Sequence, residues 1–346
     1  MMHNETMHEN ALSYMKTLLA IPSPTGYTRD ATDYLLSELE RLGFSPERTR
    51  KGCVYCELGG EGNGLLLSAH VDTLGLMVRS VKSNGRIRYT HVGGGHDATI
   101  ETENCTIHTR DGRTYPGTVQ STKASQHVFR NMGDEPRNDE TLEIVLDEEV
   151  HSAQDVAALG IETGCFVSLD PRTVVTPAGY VKSRYLDDKA SAGMLLALAR
   201  EVSEGRMTLK RRTAILFTVF EEVGHGASMH IPEGIEELLA VDMGCVGGDL
   251  QCDETMVSIC VKDSGGPYHY EMTSELIALA KANGIGYAAD VYPAYGSDAG
   301  AALRAGNDVR YALIGTGVFA SHGYERTHVK GIHNTCDLIY AYVMRG

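Results

Sequence analysis

The chain has 346 residues, of which 42% are hydrophobic and 22% are charged, as in an ordinary globular protein. This length accommodates one large domain or two moderate ones and excludes a peptide or a small module. The 31 basic and 46 acidic residues give a net charge of −15, which opposes attraction to nucleic acid or to an anionic membrane surface, so neither is an expected partner.

The sequence predicts neither a membrane span nor a secretion signal. Its apolar runs are strand-sized, far short of the roughly 20 residues that cross a bilayer. The opening MMHNETMHENALSYMK lacks a basic start followed by an apolar stretch. The cysteines are scattered, and the lone CxxC of Cys53 and Cys56 has no second pair to complete a zinc site. We therefore expect reduced structural thiols and a cytoplasmic location.

The first 70 residues predict two amphipathic helices followed by two strands. One helix covers 9–20 and stops before Pro22, and the other covers 29–42 with leucines at helical spacing. Strands are expected at 53–58 and 65–69, and the second is almost wholly apolar, as in a strand buried on both faces.

From about residue 77 to 182 the pattern changes to short alternating segments broken by Asn-Gly, Asp-Gly and Gly-Gly turns. This pattern predicts a small, barrel-like all-β domain over 77–182. The domain would interrupt an α/β domain built from 1–76 and 183–346.

After residue 187 helical and strand patterns alternate, which is typical of an α/β layer. The expected helices cover 189–201, 274–283 and 332–343, and the expected strands cover 213–220, 238–241 and 309–314. The predicted fold class is α/β, with a mixed, largely parallel sheet sandwiched by helices.

Residue types that bind metals recur where these elements end. His70 and Asp72 stand two apart at a strand end, so one can hold a metal while the other orients the ring. Asp187 and Asp188, in SRYLDDKASAG, lie where an extended segment meets a helix. Each pair also has an ordinary explanation, a surface histidine in one case and helix capping in the other.

Three further positions strengthen the pattern. Glu221 and Glu222 follow the apolar strand TAILFTVF, where carboxylates are costly to desolvate unless they bind a cation or stay wet in a cleft. Asp242 follows the apolar run LLAV. The stretch SHGYERTHVKGIHN holds three histidines: His322, His328 and His333. Imidazoles combined with carboxylates suit zinc, cobalt or manganese better than calcium.

The order of these groups is HxD, DD, EE, an acid at a strand end and a late histidine. It resembles the ligand order of dinuclear metallo-aminopeptidases of peptidase clan MH. Within that clan the chain resembles the glutamyl and deblocking aminopeptidases, which include the TET aminopeptidases. The likeness covers nearly the full length and extends to AHVDTLGLMV, LGIETGCFVSLDP and YGSDAGAA. It implies a zinc-peptidase-like fold and a self-compartmentalised dodecamer, with the inserted domain serving oligomerisation or access.

The resemblance also implies roles for the matched residues. His70, Asp187 and Asp242 would hold one divalent metal, and Asp187, Glu222 and His328 the other, with Asp187 bridging and Asp188 supporting it. Glu221 would be the general base, and Asp72 would orient His70. The implied activity is removal of N-terminal residues from peptides through a water bridged by two metals, zinc or cobalt first and manganese as an alternative.

The sequence departs from the family pattern at three places. Ser191 stands where a glycine is common. His225, in VGHGAS, stands where an apolar residue is usual, so it could contact substrate or compete as a ligand. The usual His-Ser-Pro run is missing, which leaves His333 and His322 as alternatives to His328 for the last ligand.

Other functions fit the sequence less well. An amidohydrolase or carboxypeptidase of the related clan shares the ligand order, but its extra domain usually follows the glutamate pair. Here the long gap lies between Asp72 and Asp187. An endoglucanase-type glycosidase needs two carboxyls about 5 to 9.5 Å apart across a sugar, whereas Glu221 and Glu222 are neighbours. A binding module would be expected to lose a ligand or Glu221, and none is lost.

Overall fold

The computed structural model describes residues 5–345. They form two compact units, which we call the sheet unit and the barrel unit. The sheet unit combines the residues up to Asp72 with those from Arg172 onward, and the barrel unit is Thr73–Pro171. These bounds differ from the sequence-based division at 76/77 and 182/183. Residues 174–183 fall in the sheet unit because they form strands that pair with a strand near the end of the chain.

Seven α-helices and eighteen strands are found among the described residues. The helices are α1 (Glu5–Leu19), α2 (Arg29–Arg41), α3 (Ala153–Ala158), α4 (Leu186–Ser203), α5 (Tyr270–Asn283), α6 (Asp298–Arg304) and α7 (Val329–Met344). The strands are β1 (Glu47–Arg48), β2 (Val54–Gly59), β3 (Glu61–His70), β4 (Gly75–Val81), β5 (Ile87–Val92), β6 (Asn104–His108), β7 (Thr114–Ser121), β8 (Leu142–Leu146), β9 (Phe166–Leu169), β10 (Val174–Val175), β11 (Tyr180–Ser183), β12 (Arg211–Thr218), β13 (Ile235–Cys245), β14 (Val257–Asp263), β15 (Gly266–Pro267), β16 (Tyr287–Val291), β17 (Arg310–Val318) and β18 (Glu325–His328).

The large sheet of the sheet unit has the order β1-β2-β12-β3-β13-β17-β14-β15, with β16 beside β14. Its centre, β12-β3-β13-β17, is parallel, whereas β2 and β14 join it antiparallel. The central strands carry continuous apolar runs, such as Leu65–Leu67 in β3, because both of their faces are buried. The structure thus confirms the predicted mixed, largely parallel sheet, and its parallel strands lie at the centre.

Helix α4 is the central helix of the sheet unit and is buried over most of its length. It packs against α1 and also contacts β3, β13 and α7. Gly193 permits the close approach of α1, because a Cβ there would lie 2.7 Å from the backbone nitrogen of Met15. Each of the helices α1, α2, α4, α5 and α7 overlaps a helix that the hydrophobic periodicity predicts, with ends shifted by up to four residues.

The barrel unit is a closed antiparallel barrel in the order β4-β5-β8-β7-β6-β9. Alternate residues of its strands, such as Ile87 and Tyr89, point into a buried apolar core. The short helix α3 is an exception to the all-β pattern. Its N-cap is Ser152, whose side chain accepts a hydrogen bond from the backbone N–H of Asp155.

Several elements of the sheet unit are not predicted by the sequence patterns. Strands β14 and β16 pair with each other, and β10, β11 and β18 form a separate small sheet. Helix α6 begins in the glycine-rich segment YGSDAGAA, whose composition is that of a loop. Within residues 5–345 no helix is both long enough and apolar enough to span a membrane.

Candidate metal centre

The predicted ligands converge where the parallel strands end. His70 is the last residue of β3, and Asp242 lies late in β13. Glu221 and Glu222 occupy a 3₁₀ turn that follows β12. Because β3, β12 and β13 are parallel, their carboxyl ends meet at one edge of the sheet, where open α/β sheets build their sites.

Two overlapping groups of side chains at this edge could each hold a metal ion. One consists of His70, Asp187 and Glu222, and the other of His70, Asp188 and Asp242. In each group the ligand atoms lie within 4.8 Å of one another. The family resemblance implies that Asp187 shares a metal with His70 and Asp242, whereas in the structure Asp188 forms a group with those two residues. The two aspartates can serve different groups because α4 starts irregularly, with both residues outside helical backbone angles.

The His70 ring is fixed on both sides. Its Nδ1 lies 2.9 Å from the backbone carbonyl oxygen of Asp72, to which it donates a hydrogen bond, so Nε2 remains available as a ligand atom. Nε2 lies 2.9 Å from Asp187 Oδ1. The backbone N–H of His70 donates to Asp188 Oδ2 at 3.1 Å. The side chain is 1% exposed, so its orientation is set by the protein rather than by solvent.

The carboxylates of the site are crowded and buried. Burial and the charge of Asp187 raise the pKa of Asp242 to about 7, and the same two causes raise the pKa of Glu222 well above its usual value. Burial and the charge of Asp242 likewise raise the pKa of Asp188. Burial opposes the charged form of His70, but the hydrogen bond with Asp187 and the surrounding carboxylates raise its pKa. The group as a whole favours added positive charge.

The surroundings of one Asp188 oxygen show that the site fits a cation. Asp188 Oδ1 is a buried oxygen that has no hydrogen-bond partner among the described residues. A buried carboxylate oxygen left without a donor is costly unless a cation contacts it. Imidazole nitrogen and carboxylate oxygens together form a donor set suited to zinc, cobalt or manganese. The residues present therefore fit divalent metal ions.

Asp72 has a broader positioning role than the sequence predicts. Its carboxylate lies 3.6 Å from His70 Nδ1, while its backbone carbonyl makes the closer contact with that ring. The same carboxylate accepts hydrogen bonds from the backbone N–H groups of Glu221 at 3.1 Å and Glu222 at 3.4 Å, and from the hydroxyl of Thr25 at 2.6 Å. Asp72 thus fixes the turn that carries both glutamates.

Of the three late histidines left open by the sequence, His322 lies next to the acidic group. His322 Nε2 lies 3.6 Å from both Asp187 Oδ2 and Glu222 Oε2. His328 does not join them, because its Nε2 donates to the carbonyl oxygen of Ala178 and its Nδ1 accepts from the backbone of Lys330.

His333 is also placed elsewhere. Its ring stacks on His8 with the centroids 4.1 Å apart, and burial and the neighbouring histidine lower its pKa to about 4. Of the three late histidines, the structure brings only His322 to the acidic group.

Ser191 and His225, two of the departures from the family pattern, have defined surroundings in the structure. The Ser191 hydroxyl donates to the carbonyl oxygen of Asp242 at 2.9 Å and so ties α4 to β13. His225 is exposed and belongs to neither metal-type group. Its carbonyl oxygen accepts a hydrogen bond from the Lys51 ammonium, which also contacts the carbonyl of Gly226.

Two positioning residues are missed by the sequence patterns. Glu325 is buried and accepts hydrogen bonds from the backbone N–H groups of Asp187 and His322, each at 3.1 Å. Burial and the charge of Asp187 raise the pKa of Glu325 to about 8. Its only sequence signal is its place in the histidine-rich stretch.

Asp298, in the YGSDAGAA segment, is the second missed residue. It accepts from the Thr218 hydroxyl at 2.7 Å and from the Ala227 backbone at 2.8 Å. It thereby holds both ends of the turn that follows β12.

Comparison with known proteins places the chain among peptidases. The model of the M42 glutamyl aminopeptidase family matches residues 52–338. The protein YhfE of Bacillus subtilis (strain 168) is 43% identical over 340 residues, which make up 98% of each chain. The structure of a TET aminopeptidase from Thaumarchaeota archaeon SCGC AB-539-E09 has a TM-score of 0.87 at 18% identity and covers 97% of each chain. The TET1 peptidase of Pyrococcus horikoshii has a TM-score of 0.83 at 22% identity, covering 97% of this chain and all of that one.

Proposed function

This chain belongs to the M42 glutamyl aminopeptidase family and is an aminopeptidase, and from that premise we propose that it releases N-terminal residues from peptides at a centre of two divalent metals. The supporting observation is the pair of overlapping ligand groups at the carboxyl edge of the parallel strands. The ligand types favour zinc or cobalt, with manganese as an alternative.

We assign Asp187, Glu222 and His322 to one metal, and His70, Asp188 and Asp242 to the other. Asp187 stands between them, because its Oδ1 faces His70 at 2.9 Å and its Oδ2 faces His322 at 3.6 Å. Bound there, two divalent cations would lower the pKa of an attacking water and polarise the scissile carbonyl.

Glu221 is the proposed general base. Its side chain is 14% exposed, and its Oε2 lies 3.8 Å from His70 Nε2, beside the ligands but outside both groups. Asp72 holds its backbone N–H, so the carboxylate has a fixed approach to the reacting atoms. Glu221 would accept a proton from the attacking water on Oε2 and pass it to the amine of the departing peptide.

Exchanging each of the two adjacent glutamates tests these roles. Glu221→Gln keeps the size of the side chain but cannot accept the proton, so turnover of aminoacyl chromogenic substrates should fall at least about a hundredfold while metal content stays near wild type. Glu222→Gln removes a charged ligand, so metal content should fall together with activity.

Metal analysis and turnover are measured on the same samples, and chelation followed by addition of zinc, cobalt or manganese identifies the active ion. Near-normal turnover of Glu221→Gln would contradict its role as base. Loss of metal from Glu221→Gln but not from Glu222→Gln would reverse the two assignments.

We also propose that the protein is a homo-oligomer, with a dodecamer as the expected form and the barrel unit serving assembly or access. The support is the fold shared with the Pyrococcus horikoshii TET1 peptidase, described as assembling into a tetrahedron or a large octahedral shell. A large cavity would admit unfolded peptides only. Light scattering that finds a fully active monomer would rule this out.

A cytoplasmic location remains our proposal as well. All eight cysteines are free in the structure, and seven of them are buried. This state suits a reducing compartment.

A further inference from the structure

A second polar site lies at the opposite edge of the same sheet. Strands β12 and β17 begin there with Arg211 and Arg310, and α7 is followed there by Arg345. These residues surround a cavity of about 430 Å³, which we call the arginine pocket. Its lining residues are Asn63, Arg211, Glu237, Glu275, Arg310 and Arg345.

The three arginines share a single buried carboxylate. Glu237 is 3% exposed and accepts from Arg211 Nη1 at 2.9 Å and Arg345 Nη2 at 2.5 Å on Oε2. The Tyr342 hydroxyl donates to that same oxygen at 2.9 Å. Arg310 Nη2 lies 3.0 Å from Oε1. Both oxygens of Glu237 are therefore in contact with arginines, and each guanidinium carries five N–H groups, more than these contacts use.

The remaining acids neutralise the pocket only weakly. Glu275 pairs with Arg345, and Glu236 lies 3.6 Å from Arg310, but these carboxylates are 44% and 47% exposed. Attraction between such exposed charges is screened by water and salt. Arg211 and Arg345, by contrast, are 15% and 13% exposed. In the buried part of the pocket, cationic charge exceeds anionic charge.

The Arg345 guanidinium lies close to both a second cation, Arg211, and the buried anion Glu237. Burial and the charge of Arg211 lower the pKa of Arg345, although Glu237 opposes this. The Arg345 guanidinium also lies over the Tyr342 ring, 3.7 Å from its centroid, and this contact fixes the orientation of the guanidinium group. Three arginines are thus grouped around one cavity although the protein as a whole has a net charge of −15.

We propose that the arginine pocket binds a small oxyanion with at least two negative charges, of the phosphate or dicarboxylate class. The planar fork of a guanidinium matches two oxygens of such an anion, and Asn63 adds an amide donor at the rim. The pocket lies at the amino ends of strands whose carboxyl ends carry the candidate metal ligands.

Calorimetric titration of the purified protein with inorganic phosphate, and separately with succinate, tests the site. Sodium chloride at matched ionic strength serves as the blank. Arg310→Gln is the informative variant, because Arg310 is 45% exposed and its replacement leaves Arg211 and Arg345 on Glu237. Arg212→Gln is the matched control, since Arg212 follows Arg211 on β12 but pairs with Glu57 and does not line the pocket.

We expect saturable binding of phosphate or succinate by the wild type, weakened at least about tenfold in Arg310→Gln and unchanged in Arg212→Gln. Whichever anion binds more tightly identifies the class. Anion binding at the metal centre would survive in Arg310→Gln, so equal affinity of wild type and Arg310→Gln overturns the proposal. So does the failure of both anions to bind to the wild type.

Discussion

A buried glutamate lies at each of the two edges of the central sheet, and the pKa values of these two glutamates are shifted in opposite directions. At the carboxyl edge, burial and the charge of Asp187 raise the pKa of Glu222. At the amino edge, burial also disfavours the charged form of Glu237, but Arg211 and Arg345 more than compensate and lower its pKa. The backbone provides the same parallel strands at both edges, so the difference comes entirely from the neighbouring side chains.

Buried carboxylates have a structural role at the amino edge and a ligand-binding role at the carboxyl edge. Glu237 is ionised because the fold itself supplies the cations, and it ties together the starts of three strands and the end of α7. The carboxylates at the other edge have histidines but lie close to one another, and Asp188 Oδ1 has no hydrogen-bond partner within residues 5–345. Such an arrangement suits a ligand of positive charge.

The largest effect on turnover is expected from replacing the late histidines one at a time. His322→Ala should lower turnover at least about a hundredfold and reduce metal content, because it removes an imidazole from Asp187 and Glu222. The matched variant is His328→Ala, which removes the cap of α7, a hydrogen bond to a carbonyl and an edge contact with the Tyr180 ring. It should cost about 1 kcal/mol of stability and leave turnover within about twofold. The reverse outcome would restore His328 as the ligand.

The next effect concerns stability at the amino edge. Glu237→Gln should lower the free energy of unfolding by about 2 kcal/mol or more, because it removes the one buried countercharge that Arg211 and Arg345 share. Activity of the folded molecules should not change. Denaturant unfolding followed together with turnover measures both quantities.

The stability difference between wild type and Glu237→Gln should depend on pH. Because the pKa of Glu237 is lowered in the folded state, its ionised form contributes stability at every pH above the unfolded pKa of about 4.3. That contribution is lost as the pH falls through the folded pKa. The difference between wild type and Glu237→Gln should therefore be full at pH 7 and shrink in acid. A difference that grows in acid would contradict the assignment.

The smallest effect tests the turn at the carboxyl edge. A Cβ on Gly226 would lie 1.8 Å from Asp298 Oδ1 and 3.2 Å from Glu221 Cβ. Gly226→Ala should displace both side chains and lower turnover about tenfold, since small misplacement of catalytic groups is costly. Gly300→Ala on α6 is the control, because its Cβ would meet only the flexible end of Arg304. Equal activity of the two variants would show that Asp298 does not hold the turn.

Much of the fold could be predicted because buried strands and helices have characteristic local patterns of apolar residues. Apolar runs such as Leu65–Leu67 identify the central strands, and alternation within 77–182 identifies the barrel. Elements with weak local signals were missed, as with α6 in its glycine-rich segment. The division between the two units also differs from the prediction, because pairing of β11 with β18 joins residues far apart in the chain.

The residue types at the ends of the strands, and so the class of chemistry at the carboxyl edge, can be read from the amino-acid sequence. Which of these side chains contact one another depends on the tertiary structure. His322 reaches Asp187 because the chain turns at His322 itself, with φ at +63°, before β18 begins. Glu325 joins Asp187 across 138 positions, and the arginine pocket gathers Arg211, Arg310 and Arg345 from three separate elements. Hydrophobic periodicity records which side of an element is buried, but contacts between distant polar side chains depend on the path of the whole chain.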